Sequence, residues 1–206
     1  MKVLITGGQG TMAQAIADTL KSFGMTVLTP GRDELDVTNA EDVSSYYGKE
    51  APDIMIYTAG YIKPATIVDS DIVDVKKHFE VNTLGFFYCA KYGISHGVKK
   101  FIYVGSTSSF EGRESWGSYC AAKAATMSLT ESLSREGYEC YNIHPARTAT
   151  KMRTALFPNE DPKTLMAPER VAEFVQRCLA GEFKPGSQII LKKDYYYVLP
   201  ERTCLK

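Results

Sequence analysis

The sequence predicts a single α/β domain, a doubly wound parallel sheet of about six strands with helices on both faces. Three observations predict it. Short apolar runs alternate with longer segments of helical periodicity along all 206 residues. The first run, Lys2–Thr6, leads straight into a glycine-rich turn and then an amphipathic segment. No repeat, low-complexity tract or linker divides residues 1–206, a length that suits one hydrophobic core.

Taken in order, strands are predicted at Lys2–Thr6, Thr26–Thr29, Asp53–Thr58, Lys100–Gly105, Glu139–His144 and Gln188–Leu191. Each is a short β-branched or aromatic run bounded by turn residues. Helices are predicted at Met12–Phe23, Ala40–Tyr47, Val73–His96, Ser118–Arg135 and Pro168–Ala180, the last opened by a proline whose missing N–H costs nothing there. Only five residues separate Thr29 from Leu35-Asp36-Val37, too few for a parallel crossover, so Leu35–Val37 is predicted as extended loop. The stretch Phe157–Lys163, with Pro158 and Pro162, is predicted to be a mobile surface loop.

Composition excludes several function classes. With 24 basic and 24 acidic residues the formal charge is zero, which argues against a broad nucleic-acid or anionic-membrane footprint. No apolar run approaches the roughly 20 residues of a bilayer span, and the N-terminal run is too short for a signal peptide. Five scattered cysteines without a Cys-x-x-Cys pair speak against zinc or a disulfide framework and for a reducing cytoplasm; no metal site is expected. His78, His96 and His144 are too dispersed for a metal or catalytic cluster.

The turn Thr6-Gly7-Gly8-Gln9-Gly10-Thr11-Met12-Ala13 follows Gly-x-x-Gly-x-x-Ala. Gly7 permits a tight exit from the strand, and Gly10 lets the backbone approach a pyrophosphate. Ala13 lets the helix pack closely, while the helix N-terminus at Thr11 and Met12 offers unpaired N–H groups to phosphate. A dinucleotide is therefore expected. Arg32, just after the second strand, is a planar partner for the 2′-phosphate of NADP; the competing reading is a turn arginine neutralised by Asp33. NADP is preferred, with NAD the alternative. Asp36 and Val37 are expected beneath the adenine.

Tyr119 and Lys123 stand four apart, on one face of a predicted helix. Ser106 lies thirteen residues upstream at the carboxyl end of a predicted strand, where ligands bind in such sheets. Asn82 is a polar residue in an otherwise sheet-packing helix. In order and spacing, Thr6-Gly7-x-x-Gly10, Thr58-Ala59-Gly60, Asn82, Ser106, Tyr119-x-x-x-Lys123 and Pro145 before Thr148 resemble the short-chain dehydrogenase/reductase family over nearly the whole chain.

The resemblance implies a Rossmann-like NAD(P)-binding domain that reduces a carbonyl or oxidises an alcohol, with Ala59, Gly60 and Pro145 beside the cofactor. It implies Tyr119 as the acid/base and Ser106 as the hydrogen-bond partner of the substrate oxygen. Lys123 would hold the nicotinamide ribose and lower the Tyr119 pKa, and Asn82 would hold a water linking Lys123 to solvent. Thr58 replaces the asparagine, and Ala146 the glycine, of the family's commonest form. The short Gly31–Asp36 link looks like the sugar-nucleotide-modifying branch, whose large C-terminal substrate domain has no counterpart in a chain of this length. The alternative reading is a non-catalytic dinucleotide sensor or scaffold on the same fold.

The segment His144–Arg153 is expected to border the nicotinamide and open into a substrate lid over residues 146–167. Thr148 or Thr150 would hydrogen-bond the carboxamide or a cofactor phosphate. Arg147, Lys151 and Arg153 concentrate positive charge, read either as recognition of an anionic small-molecule substrate such as a sugar phosphate or as a basic loop serving cofactor and solvent. The run Arg147–Arg153 also looks similar to reductase domains of bacterial surface-polysaccharide pathways, some paired with polyol-phosphate nucleotidyl transfer. Tyr195–Val198 is apolar enough to cover an edge strand or a partner subunit. The resemblance implies a homodimer or homotetramer formed through the helices at Val73–His96 and Ser118–Arg135.

Overall fold

The computed structural model describes residues 1–199, and Cys204 lies outside them. Seven strands form one sheet in the order β2-β1-β3-β4-β5-β6-β7. They are β1 Lys2–Ile5, β2 Thr26–Leu28, β3 Ile54–Tyr57, β4 Lys100–Val104, β5 Glu139–Pro145, β6 Gln188–Leu191 and β7 Tyr196–Leu199. The first six run parallel, as their apolar, doubly covered sequences require. The seventh adds one strand to the about six expected. A turn in which Lys192 N–H donates to Tyr195 O (2.9 Å) reverses the chain, so β7 pairs antiparallel with β6 and needs no crossover.

The described residues form seven α-helices, α1 Thr11–Ser22, α2 Ala40–Glu50, α3 Ile72–Phe79, α4 Gly85–Ser95, α5 Gly117–Arg135, α6 Lys151–Leu156 and α7 Pro168–Leu179, of which α6, with no buried residue, lies in the lid. One core layer packs Ile16 and Leu20 of α1 and Phe174 and Val175 of α7 against Val3, Ile56 and Ile102. The other packs Tyr47 of α2 and Phe86 of α4 against Met55, Phe101 and Tyr103. Side chains start the helices where the sequence supplies them. Asn39 accepts from the N–H groups of Glu41 and Asp42 ahead of α2, and Asp71 accepts from Val73 N–H ahead of α3.

Leu35–Val37 is loop, as expected, with Leu35 and Val37 buried in the second core layer. The helix predicted over Val73–His96 is instead α3 and α4 joined through a π-helical turn, Glu80–Leu84, that contains Asn82. Residues 157–163, expected to be mobile, are tied down. Arg147 and Arg153 both bind Glu160, and Pro162–Thr164 form a 3-10 turn capped by Asp161. The lid closes on itself at its base, where Met166 N–H donates to Arg147 O and Ala149 N–H to Met166 O, each at 2.9 Å.

Candidate active site

The strand order reverses between β1 and β3, so the crevice expected of such a sheet opens at their carboxyl ends. Gly7 leaves β1 at φ +65, with an added Cβ meeting Ala59 Cα at 3.0 Å. Gly8, which the sequence pattern did not single out, is the tighter position: a Cβ there would meet Thr29 O at 2.2 Å. Thr6 Oγ1 accepts from the N–H groups of Thr58 and Ala59 at 3.2 Å, and Thr58 Oγ1 donates back to Thr6 O at 2.5 Å. The threonine in place of the usual asparagine therefore still ties β1 to β3.

On one side of Gly7 lies a cleft lined by Arg32, Asp36, Val37, Ala59, Gly60, Tyr61 and Lys77. Arg32 is exposed there and pairs with Asp36 at 3.2 Å, not with the neighbouring Asp33. Burial raises the Asp36 carboxyl, but hydrogen bonds from the Thr38 hydroxyl and backbone and from Arg32 prevail and hold it below the usual range. On the other side, a cavity at the ends of β4 and β5 is lined by Met12, Ser106, Tyr119, Pro145, Arg147, Thr148 and Arg153, and also by Thr107, Arg113 and Trp116. Thr11 lies between the glycine turn and the lid; its hydroxyl accepts from Lys151 N–H at 3.1 Å. Thr148 donates to Ala146 O at 3.0 Å, while Thr150 caps α6.

Ser106 stands two residues past β4, its Oγ accepting from Ser108 N–H at 3.1 Å. One turn of α5 sets Tyr119 and Lys123 on the same face, with Lys123 Nζ 5.9 Å from the Tyr119 ring centroid. Burial pushes the Tyr119 phenol up to about 12, and the Ser106 hydrogen bond and the Arg113 charge work against it. Arg113 thus adds a second cation near Tyr119, one the sequence had not singled out. The Lys123 ammonium lies over the Tyr119 and Tyr103 rings and is itself lowered to about 8 by burial.

Asn82 is fully buried on the π turn. Its Nδ2 donates to Tyr61 O (2.8 Å) and His78 O (2.9 Å), and its Oδ1 accepts from Tyr61 N–H (3.2 Å). It thereby pins the segment after Gly60 against the wall that holds Lys123. Behind Tyr119, the buried His78 contacts Ser118 Oγ at 3.0 Å and accepts from Lys63 N–H at 3.1 Å. Its ring stands edge-on to Tyr119, 6.2 Å between centroids. Burial lowers its pKa, so it packs as the neutral imidazole.

The charge on the lid differs from the sequence expectation. Arg153 gives Nε and Nη2 to Glu160 at 2.6 and 2.8 Å, and Arg147 Nη1 reaches the same carboxylate at 3.1 Å. Arg113, Trp116 and Glu160 were not singled out by the sequence. The first two lie in an aperiodic loop and at its junction with α5, and Glu160 meets its partners only once the lid folds back.

The sequence model of the short chain dehydrogenase family matches residues 34–161. The chain is 26% identical over 211 residues to the bifunctional ribulose 5-phosphate reductase/CDP-ribitol pyrophosphorylase of Haemophilus influenzae, covering 94% of this chain but only 44% of that protein. It is also 26% identical over 208 residues to an uncharacterized oxidoreductase of Staphylococcus aureus, covering 85% and 89% of the two. Among solved structures, a small-chain dehydrogenase in complex with NADPH superposes with a TM-score of 0.83 at 20% identity, covering 94% of this chain and 97% of that one. The aldohexose dehydrogenase of Thermoplasma acidophilum, in ligand-free form, superposes with 0.80 at 19%, covering 93% and 92%. The matched segment runs from the Asp36 loop through Asn82, Ser106, Tyr119 and Lys123 to the lid, and on that ground the chain belongs to the short-chain dehydrogenase family.

Proposed function

We propose that this chain is an NADP-preferring oxidoreductase that reduces a carbonyl, or in reverse oxidises an alcohol, on a small phosphorylated sugar or polyol. The observation that carries it is that Ser106 and Tyr119 line one cavity bordered by the lid, with the buried Lys123 Nζ 5.9 Å from the Tyr119 ring. The chain spans less than half the length of the Haemophilus influenzae relative, whose name motivates a pentulose phosphate as the first substrate to try.

The residues present fit a dinucleotide. Two clefts flank the glycine turn, one beside Arg32, Asp36 and Val37, the other beside Met12, Pro145 and Thr148. Arg32, mostly exposed, is free to turn from Asp36 towards a 2′-phosphate. NADPH, when bound, supplies the hydride. Tyr119 donates its phenolic proton to the substrate oxygen as negative charge develops there, and the Ser106 hydroxyl holds that oxygen in place. Lys123 holds ribose hydroxyls and sets a cation near the phenolate left behind. Trp116 and Ile62 line the cavity and help to exclude water. We further propose a homodimer built on the α3–α4 and α5 face, in a reducing compartment that suits the four buried thiols at Cys89, Cys120, Cys140 and Cys178.

The test is NADPH consumption across a panel of ketoses and their phosphates. Wild type should turn over at least one member and Tyr119→Phe should not; identical behaviour of the two on every substrate refutes the proposal. Arg32→Ala should weaken NADPH binding about tenfold while sparing NADH. Unchanged NADPH affinity in that variant would remove the cofactor preference.

A further inference from the structure

The cavity beside Ser106 and Tyr119 carries three guanidinium groups, and they are held very differently. Arg153 and Glu160 are only 16% and 15% exposed, joined by two hydrogen bonds, with the guanidinium stacked 3.9 Å over the Phe157 ring. Arg147 leans on the same carboxylate. Arg153 and Arg147 hold that carboxyl below its usual range, so it stays charged and keeps both arginines engaged. An incoming anion would have to displace it.

Arg113 has no such partner. Its two hydrogen bonds both run through Nη2, to Thr107 Oγ1 and to Glu111 Oε1, each at 3.0 Å. The Glu111 side chain is 64% exposed, and an ion pair so open to water is worth little. The hydrogens on Nε and Nη1 remain for a ligand. Position matters as much as availability. None of the residues assigned above to the dinucleotide's phosphates, adenine or carboxamide comes from the segment 107–118, whereas Arg147 sits between Pro145 and Thr148. An anion bound at Arg113 therefore belongs to the substrate.

We infer that Arg113, with the Thr107 hydroxyl beside it, is the specificity-determining residue that receives a phosphate-type anionic group of the substrate, while Glu160 with Arg147 and Arg153 latches the lid. This rests on the reading of the cavity as a carbonyl-substrate site. The planar fork of Arg113 suits bidentate contact with a phosphate, and Thr107 adds a hydroxyl donor once its own bond rearranges.

Trp116, the single tryptophan of the sequence, lines the same cavity and stacks on Phe157, so its fluorescence reports ligand entry. The experiment titrates D-ribulose 5-phosphate and D-ribulose into the NADP-loaded protein and follows that signal, independently of turnover. In wild type the phosphate ester should bind about tenfold or more tightly than the free ketose. Arg113→Ala should abolish that preference and Arg113→Lys should restore part of it, with circular dichroism confirming the folded state of each. The inference is overturned if wild type shows no preference, if the preference survives Arg113→Ala, or if Arg147→Ala removes it instead. Absence of NADPH oxidation with either sugar counts against the oxidoreductase reading alone, because the binding preference is read separately.

Discussion

At Tyr119 the chemistry depends on opposing local terms. Burial disfavours the phenolate, the Ser106 hydrogen bond and the Arg113 charge favour it, and the product is a phenol that keeps its proton until a substrate oxygen asks for it. Tyr119→Phe removes only the hydroxyl, so we expect kcat to fall by about 10²–10⁴-fold with NADPH binding retained, checked by steady-state kinetics beside a direct binding titration. Lys123 gives a stability prediction. Its folded-state pKa of about 8 lies below an unfolded value of about 10.4, so between those limits the unfolded chain binds more protons and stability rises with pH. From pH 7 to pH 10, below the range where buried tyrosines titrate, wild type without cofactor should gain about 2 kcal/mol relative to Lys123→Met in urea unfolding. A flat difference would mean the ammonium is solvated. The Tyr119–Lys123 pair was legible because one helical turn places side chains four apart together. Arg113 was not, because a loop residue has no periodicity to betray its direction.

Among the elements, the lid departs most from its sequence pattern. A charged stretch with two prolines looks like solvated loop, yet Glu160 is drawn inward between Arg147 and Arg153. Taking away Glu160 would strand a mostly buried guanidinium against Phe157. Glu160→Ala should loosen the lid and speed amide exchange at Ala149, Lys151 and Met166, with the sheet amides unaffected. If exchange rises equally throughout, the latch is part of the global fold and the lid has no separate stability. The π turn at Glu80–Leu84 was equally hidden. Val81-Asn82-Thr83 carries no glycine or proline to mark a break, and the cause is tertiary, since the Asn82 side chain bonds to Tyr61 and its own carbonyl accepts from Thr126 at 2.6 Å. The six parallel strands, by contrast, match their predicted bounds to within a residue or so, because doubly covered parallel strands are continuous apolar runs with abrupt ends; the short antiparallel β7 has no such signal.

For the molecule as a whole, the remaining matter is what covers its apolar surface. Among the described residues, no helix is long and apolar enough to cross a membrane. Ile72 and Val73 on α3, Leu84 on the π turn and Phe87 on α4 are nonetheless 65%, 70%, 42% and 47% exposed, and they follow one another along the outer side of the α3–α4 stretch. A second exposed apolar strip, Tyr195–Val198, lies along β7, the edge of the sheet. Exposed edges and apolar helix faces both invite association, but the helical strip carries no hydrogen-bonding register to satisfy. Phe87→Asp should therefore shift light-scattering mass from twice to once the 22.8 kDa of the chain, while Tyr197→Asp leaves the dimer intact. Because α5 packs directly against α3 and carries Tyr119 and Lys123, the monomeric variant should also lose activity at unchanged secondary structure. Dissociation by Tyr197→Asp with Phe87→Asp still dimeric would move the interface to the sheet edge and uncouple it from the site.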